Sequence, residues 1–108
     1  MYHNDISKKG ATMISSNISS INAHQNWLNN SAHNTANVNT EDFTPNNTTI
    51  NGASENSVVA NSSPASQTQT DIANELTNQI NIERATEANA VSIRAEDQMM
   101  GSLLDIRA

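Results

Sequence analysis

The chain has 108 residues, of which 35% are hydrophobic and 3% aromatic, with a net charge of −6 and no cysteine. That length allows one small domain, and the thin apolar content predicts a chain that gains its core by associating with others. The acidic balance removes electrostatic support for nucleic acid or direct lipid binding, and the missing cysteines exclude disulfides and thiolate metal sites.

Residues 1–12 read as an N-terminal extension ahead of the first patterned segment. The opening MYHNDISKKGATMISS has no apolar stretch of the kind that marks a cleavable secretory signal. No run in the chain reaches the length of a membrane span. From Met13 to about Thr35 the residues Ile14, Ile18, Ile21, Leu28 and Ala32 recur at steps of 4, 3, 7 and 4, with Gln25 in the missing step. This is a helical stripe with coiled-coil-like spacing. Ser and Asn fill much of the remainder and compete for backbone hydrogen bonds, so the helix is marginal alone, with Trp27 its one large apolar anchor.

The stripe runs out in SAHNTANVNT, residues 31–40. Asparagine tolerates left-handed backbone conformations and hydrogen-bonds locally. Asn34, Asn37 and Asn39 are therefore expected to end the helix and turn the chain away, with Phe43 anchoring the segment beyond the turn. Residues 13–43 form this first unit, an N-terminal helix and its Asn-rich motif. Residues 44–70 hold both prolines and little besides Asn, Ser, Thr and Ala, with only Ile50, Val58 and Val59 able to anchor anything. They read as a flexible connection. Thr68 or Thr70 is placed to cap the next helix, with Asp71 adding negative charge to its first turn.

From Asp71 the pattern is cleaner. Ala73, Leu76, Ile80, Ala88, Val91, Ala95, Met99, Leu103 and Ile106 fall on one broad face, interrupted by Arg84. A helix over 71–108 would make a rod of roughly 50 Å. The charge is concentrated here, with three arginines against seven acids, net −4, whereas residues 1–43 carry two lysines against three acids, net −1. Together the pattern predicts an all-α chain: N- and C-terminal amphipathic helices pair as a coiled coil, joined by a flexible connection and largely disordered in the free monomer. The surplus apolar stripe should face other subunits, and Ile14, Ile18, Ile21, Leu28, Ala32, Leu76, Ile80, Val91, Met99, Leu103 and Ile106 are the expected packing positions.

Catalytic chemistry is hard to assemble from these residues. His24 and His33 are nine apart, about 180° from each other on a helix, and do not share a metal. Glu83 and Glu87, at i,i+4, read as a solvated acidic face, and Gly10, Gly52 and Gly101 form no phosphate-cradling loop. Met99 and Met100 read as packing residues. No enzyme activity, cofactor or metal is expected.

The two ends of the chain, taken together, resemble the flagellar rod and hook family of bacterial axial proteins. In that family an N-terminal helix ends in a signature close to S-A-N-N-I-A-N-V-N-T-x-x-F, matched here by Ser31, Ala32, Asn34, Ala36, Asn37, Val38, Asn39, Thr40 and Phe43. The family's C-terminal helix is matched by Asp71, Ile72, Ala73, Glu75, Leu76, Arg84, Ala85, Glu87, Ala88 and Asn89, then by Asp97, Met99, Leu103, Leu104 and Ile106. Glu83 stands where the family usually has Gln, and Thr86 where it usually has an aromatic. Family members often begin near the position of Met13.

The resemblance implies a minimal, proximal-rod type of subunit with only residues 44–70 between its helices. It further implies export by the flagellar type III apparatus, with the rod of the basal body in the periplasmic space as location. Copies of itself and other rod subunits would be the partners, and the product an axial drive shaft built by helical assembly. An alternative is a small adaptor or assembly factor that binds rod subunits without being incorporated.

Overall fold

The computed structural model describes residues 2–53 and 57–107, with side chains placed over 10–53 and 57–103. Four elements succeed one another: α1 (Tyr2–Ala36), β1 (Asn46–Gly52), β2 (Val58–Pro64) and α2 (Ile72–Arg107). The helices lie antiparallel, because contacts across the pair run in descending order. Gly10 meets Met100, Asn17 meets Glu96, Ser20 meets Asn89, Ser31 meets Gln79, and Asn34 meets Glu75. A Cβ at Gly10 would come within 2.7 Å of the Met100 sulfur, so glycine lets that methionine seat against α1.

The all-α expectation is overturned by the hairpin, and the stretch read as a flexible connection is where it forms. β1 and β2 pair antiparallel from Asn46 opposite Pro64 to Gly52 opposite Val58. The Ala53 N–H donates to the Ser57 carbonyl at the tip (2.9 Å), and the Ala65 N–H to the Pro45 carbonyl at the base (2.8 Å). Thr48, Thr49, Ile50, Val58 and Val59 supply the β-branched residues that suit a pleated strand. Pro64 sits at the end of its strand, where its missing N–H removes no interior bond. A two-stranded hairpin is marginal in water, and α1 supplies what it lacks. Ser19 Oγ accepts from the Val58 N–H (2.7 Å) and donates to the Val58 carbonyl (2.9 Å). Asn30 Nδ2 donates to Thr48 Oγ1 (2.9 Å), and Asn34 binds both backbone groups of Asn46. Ser19 and Asn34 lie about 22 Å apart along a helix, close to the roughly 20 Å of a seven-residue strand. The hairpin therefore lies along α1 for its whole length. The described residues thus form a helix–hairpin–helix arrangement in place of two helices joined by a flexible connection.

Helix ends also differ from expectation in mechanism. Among the described residues the left-handed ones are Asp42 (φ 60°) and Gln69 (φ 77°), not Asn34, Asn37 or Asn39. Instead, Asn37 Nδ2 donates to the His33 carbonyl (2.9 Å) and Thr70 Oγ1 to the Asn34 carbonyl (2.7 Å). These satisfy acceptors that the last turn of α1 leaves open. With Thr70 so engaged, the cap of α2 is Asp71, whose Oδ1 accepts from the Asn74 N–H (3.1 Å).

The molecule measures 64 × 23 × 13 Å. The smallest extent is about one helix diameter, so the fold is a single layer in which every element keeps an open face. Among the described residues, Ala23 and Ile82 are the only fully buried hydrophobics apart from Pro45.

Candidate functional site

Burial along α2 runs in alternating steps of 3 and 4: Ile72, Glu75, Gln79, Ile82, Thr86, Asn89, Ile93, Glu96, Met100 and Leu103 are all buried or half-buried. On α1 the same spacing links Gly10, Ile14, Asn17, Ile21, His24, Leu28, Ser31 and Thr35. These two series make the seam between the helices, and half of the α2 series is polar.

The polar groups gather into nodes. Nearest the hairpin base, Glu75 is buried and accepts from Ser31 Oγ (2.5 Å) and Asn34 Nδ2 (3.1 Å). Gln79 Nε2 donates to Ser31 Oγ (3.2 Å) and Thr35 Oγ1 (3.1 Å). Asn34 also donates to the Asn46 carbonyl (2.9 Å) and accepts from the Asn46 N–H (3.0 Å). Asn34 and Ser31, each 1% exposed, thus tie α1, β1 and α2 together at one point. In the middle of the pair, Asn89 Nδ2 donates to Ser20 Oγ (3.1 Å) and to the Ala85 carbonyl (2.9 Å). Further along, buried Glu96 accepts from Asn17 Nδ2 (3.3 Å) and Ser92 Oγ (3.2 Å). Both buried carboxylates take their hydrogen bonds from neutral amides and hydroxyls. Such donors match an anion only when placed correctly, so they specify the register of the pair more than its stability.

The apolar residues of α2 point elsewhere. Leu76, Ile80, Val91 and Met99 are 49%, 52%, 60% and 65% exposed. Of the packing positions expected on α1, Ile14, Ile21 and Leu28 are half-buried in the seam, whereas Ile18 and Ala32 are exposed. Leu103 is half-buried, and the side chain of Ile106 lies outside the described residues. Of the motif residues, Asn34 and Asn89 are in the polar nodes, Asn37 caps α1, and Asn39 and Arg84 are exposed. Sequence reasoning missed Glu75, Ile82, Ile93 and Glu96 as seam residues. The available signal was a second series, Ile72, Ile82, Ile93 and Met100, on the opposite side of α2 from the richer stripe.

The two histidines whose side chains are described lie in separate surroundings. His24 Nδ1 lies 2.7 Å from the Ser20 carbonyl, while His33 packs edge-on to Phe43 at a centroid distance of 5.5 Å. Among the described residues no group of three metal-ligating side chains converges. No described helix is long and apolar enough to cross a membrane. The feature that asks for a partner is the outward stripe of α2.

Residues 66–106, which take in almost all of α2, match the family model described as flagellar basal body rod FlgEFG protein C-terminal. No curated protein and no solved structure matches the chain.

Proposed function

We propose that this chain, which carries the C-terminal region of the flagellar basal-body rod protein family over residues 66–106, is a structural subunit of the rod. It polymerises there with copies of itself and with other rod subunits into the axial drive shaft. The carrying observation is that the helix covered by the family match displays Leu76, Ile80, Val91 and Met99 to solvent. Apolar area of this kind stabilises by roughly 25 cal/mol per Å² once covered, and a single-layer fold has no element left to cover it. Neighbouring subunits do so in this reading. Contacts of that kind join one face of a copy to a different face of the next, and extend into a helical tube.

Delivery through the flagellar type III export apparatus to the periplasmic rod fits the same features. A cysteine-free chain with very few fully buried apolar side chains among its described residues unfolds at little expense, which suits passage through a narrow channel. No catalytic step belongs to this role.

The test is to isolate basal bodies from cells carrying the chain and quantify it by mass spectrometry, with Val91→Asp alongside. Several copies per basal body, lost with Val91→Asp together with motility, are expected. Absence of the unaltered chain from intact basal bodies would sink the structural role and favour a transient assembly factor.

A further inference from the structure

We infer that the groove between the two helices receives the Arg84 side chain of a second copy of this chain, and that Glu83 and Glu87 hold it there. This rests on the rod-subunit reading above and names one contact within it.

The groove has a volume of about 370 Å³ and is lined by helix residues alone. Leu28 of α1 and Ile82 of α2 contribute its apolar part, and Glu83 and Glu87, one turn apart, contribute two exposed carboxylates. Thr86 lines it as well, with a buried hydroxyl oxygen that has no hydrogen-bond partner among the described residues. Hairpin residues line a different cleft, reached from Asn74 and Asn78 of α2, so the groove lies on the flank that the hairpin leaves open.

The matching surface is on the same helix. Arg84, Ala88, Val91 and Ala95 recur at steps of 4, 3 and 4 and are all exposed. They make a narrow helix face of small and apolar side chains with one guanidinium in it. Covering that face by packing would bury the charge of Arg84, which is strongly unfavourable unless carboxylates meet it. Two copies each carrying −6 also repel, so an approach between them needs a local meeting of opposite charges. The groove offers two carboxylates on an apolar floor, and Ala88 and Ala95, which follow Arg84 on that face, let the helix backbone come close. Because the arginine face and the groove are different surfaces, the contact repeats from copy to copy and does not close on itself.

The experiment is a charge exchange read by sedimentation velocity on the full chain, with helix content tracked by circular dichroism. All three residues are exposed, so R84E and E83R/E87R should keep the helix content of the unaltered chain. Each variant alone should associate about tenfold more weakly or worse. An equimolar mixture of the two should restore association, because each variant then meets its complement on the other. If only the triple variant R84E/E83R/E87R recovered and the mixture did not, Arg84 would be pairing within its own chain, and the inference would be overturned. Should V91D abolish association while R84E left it unchanged, this contact alone would fall. An unaltered chain that stays monomeric, or one indifferent to V91D, would remove the inference together with the packing it rests on.

Discussion

The two faces of α2 carry opposite chemistry from the one expected of a self-contained helical hairpin. The face turned to α1 holds Glu75, Gln79, Asn89 and Glu96 in hydrogen-bonded nodes, while Leu76, Ile80, Val91 and Met99 look outward. Polar nodes are demanding about geometry and weak as net stabilisers, whereas apolar stripes are tolerant about geometry and strong. The difference teaches that the fold uses its specific interactions inside to set the register of helices and hairpin. Its least specific and strongest interactions stay available for an intermolecular contact.

That contrast can be broken most forcefully at Asn34. Asn34→Ala leaves both backbone groups of Asn46 unmatched and removes a donor from buried Glu75. At about 1–3 kcal/mol for each stranded buried group, softened by rehydration, we expect a loss of about 4 kcal/mol. Thermal melts read by circular dichroism would register it, and faster amide exchange across residues 46–64 would locate it. Ile82→Ala empties the one large, fully buried aliphatic position among the described residues of the seam and should lower stability by about 3 kcal/mol in the same assay. A melting temperature unmoved by Ile82→Ala would place the core elsewhere.

A third substitution tests whether the polar seam serves register or stability. Replacing Asn17 and Glu96 together by leucine removes a buried carboxylate with its donor and should hold stability level or raise it by about 1–2 kcal/mol. The accompanying loss of specificity should appear as mixed oligomers on a sizing column. A clear drop in stability would mean that these nodes are net stabilisers after all. The smallest effect belongs to the outer face. Leu76→Ala should change the stability of the single chain by less than about 0.5 kcal/mol while weakening its association. If the monomer were strongly destabilised, Leu76 would have to be a core residue of the isolated fold.

Much of this was legible in the amino acids. The extent of α2 could be read from its start at Asp71 and a helical pattern interrupted only at Arg84, and the end of α1 from the asparagines after Ser31. The stripe itself could also be read, since Leu76, Ile80, Val91 and Met99 repeat at helical spacing, but its outward direction could not. The hairpin could not be read in that way. NNTTING and VVANSSP have the composition of a loop, and they become strands because Ser19, Asn30 and Asn34 bind them along α1. The role of Asn34 was hidden for a related reason. Its partners Asn46, Thr70 and Glu75 come from three separate stretches of the chain, and local spacing carries no trace of their meeting.

By itself, then, the sequence determined two long helices, an apolar stripe on the second, and too little apolar content for a substantial core. Those features come from periodicity and composition, which are properties of neighbouring residues. Tertiary structure decided which face of α2 meets α1, that the connection pairs as strands, and that Glu75 and Glu96 are buried. Each of these depends on whether a distant residue supplies a matching donor or acceptor, and a buried polar group is stable only where one does.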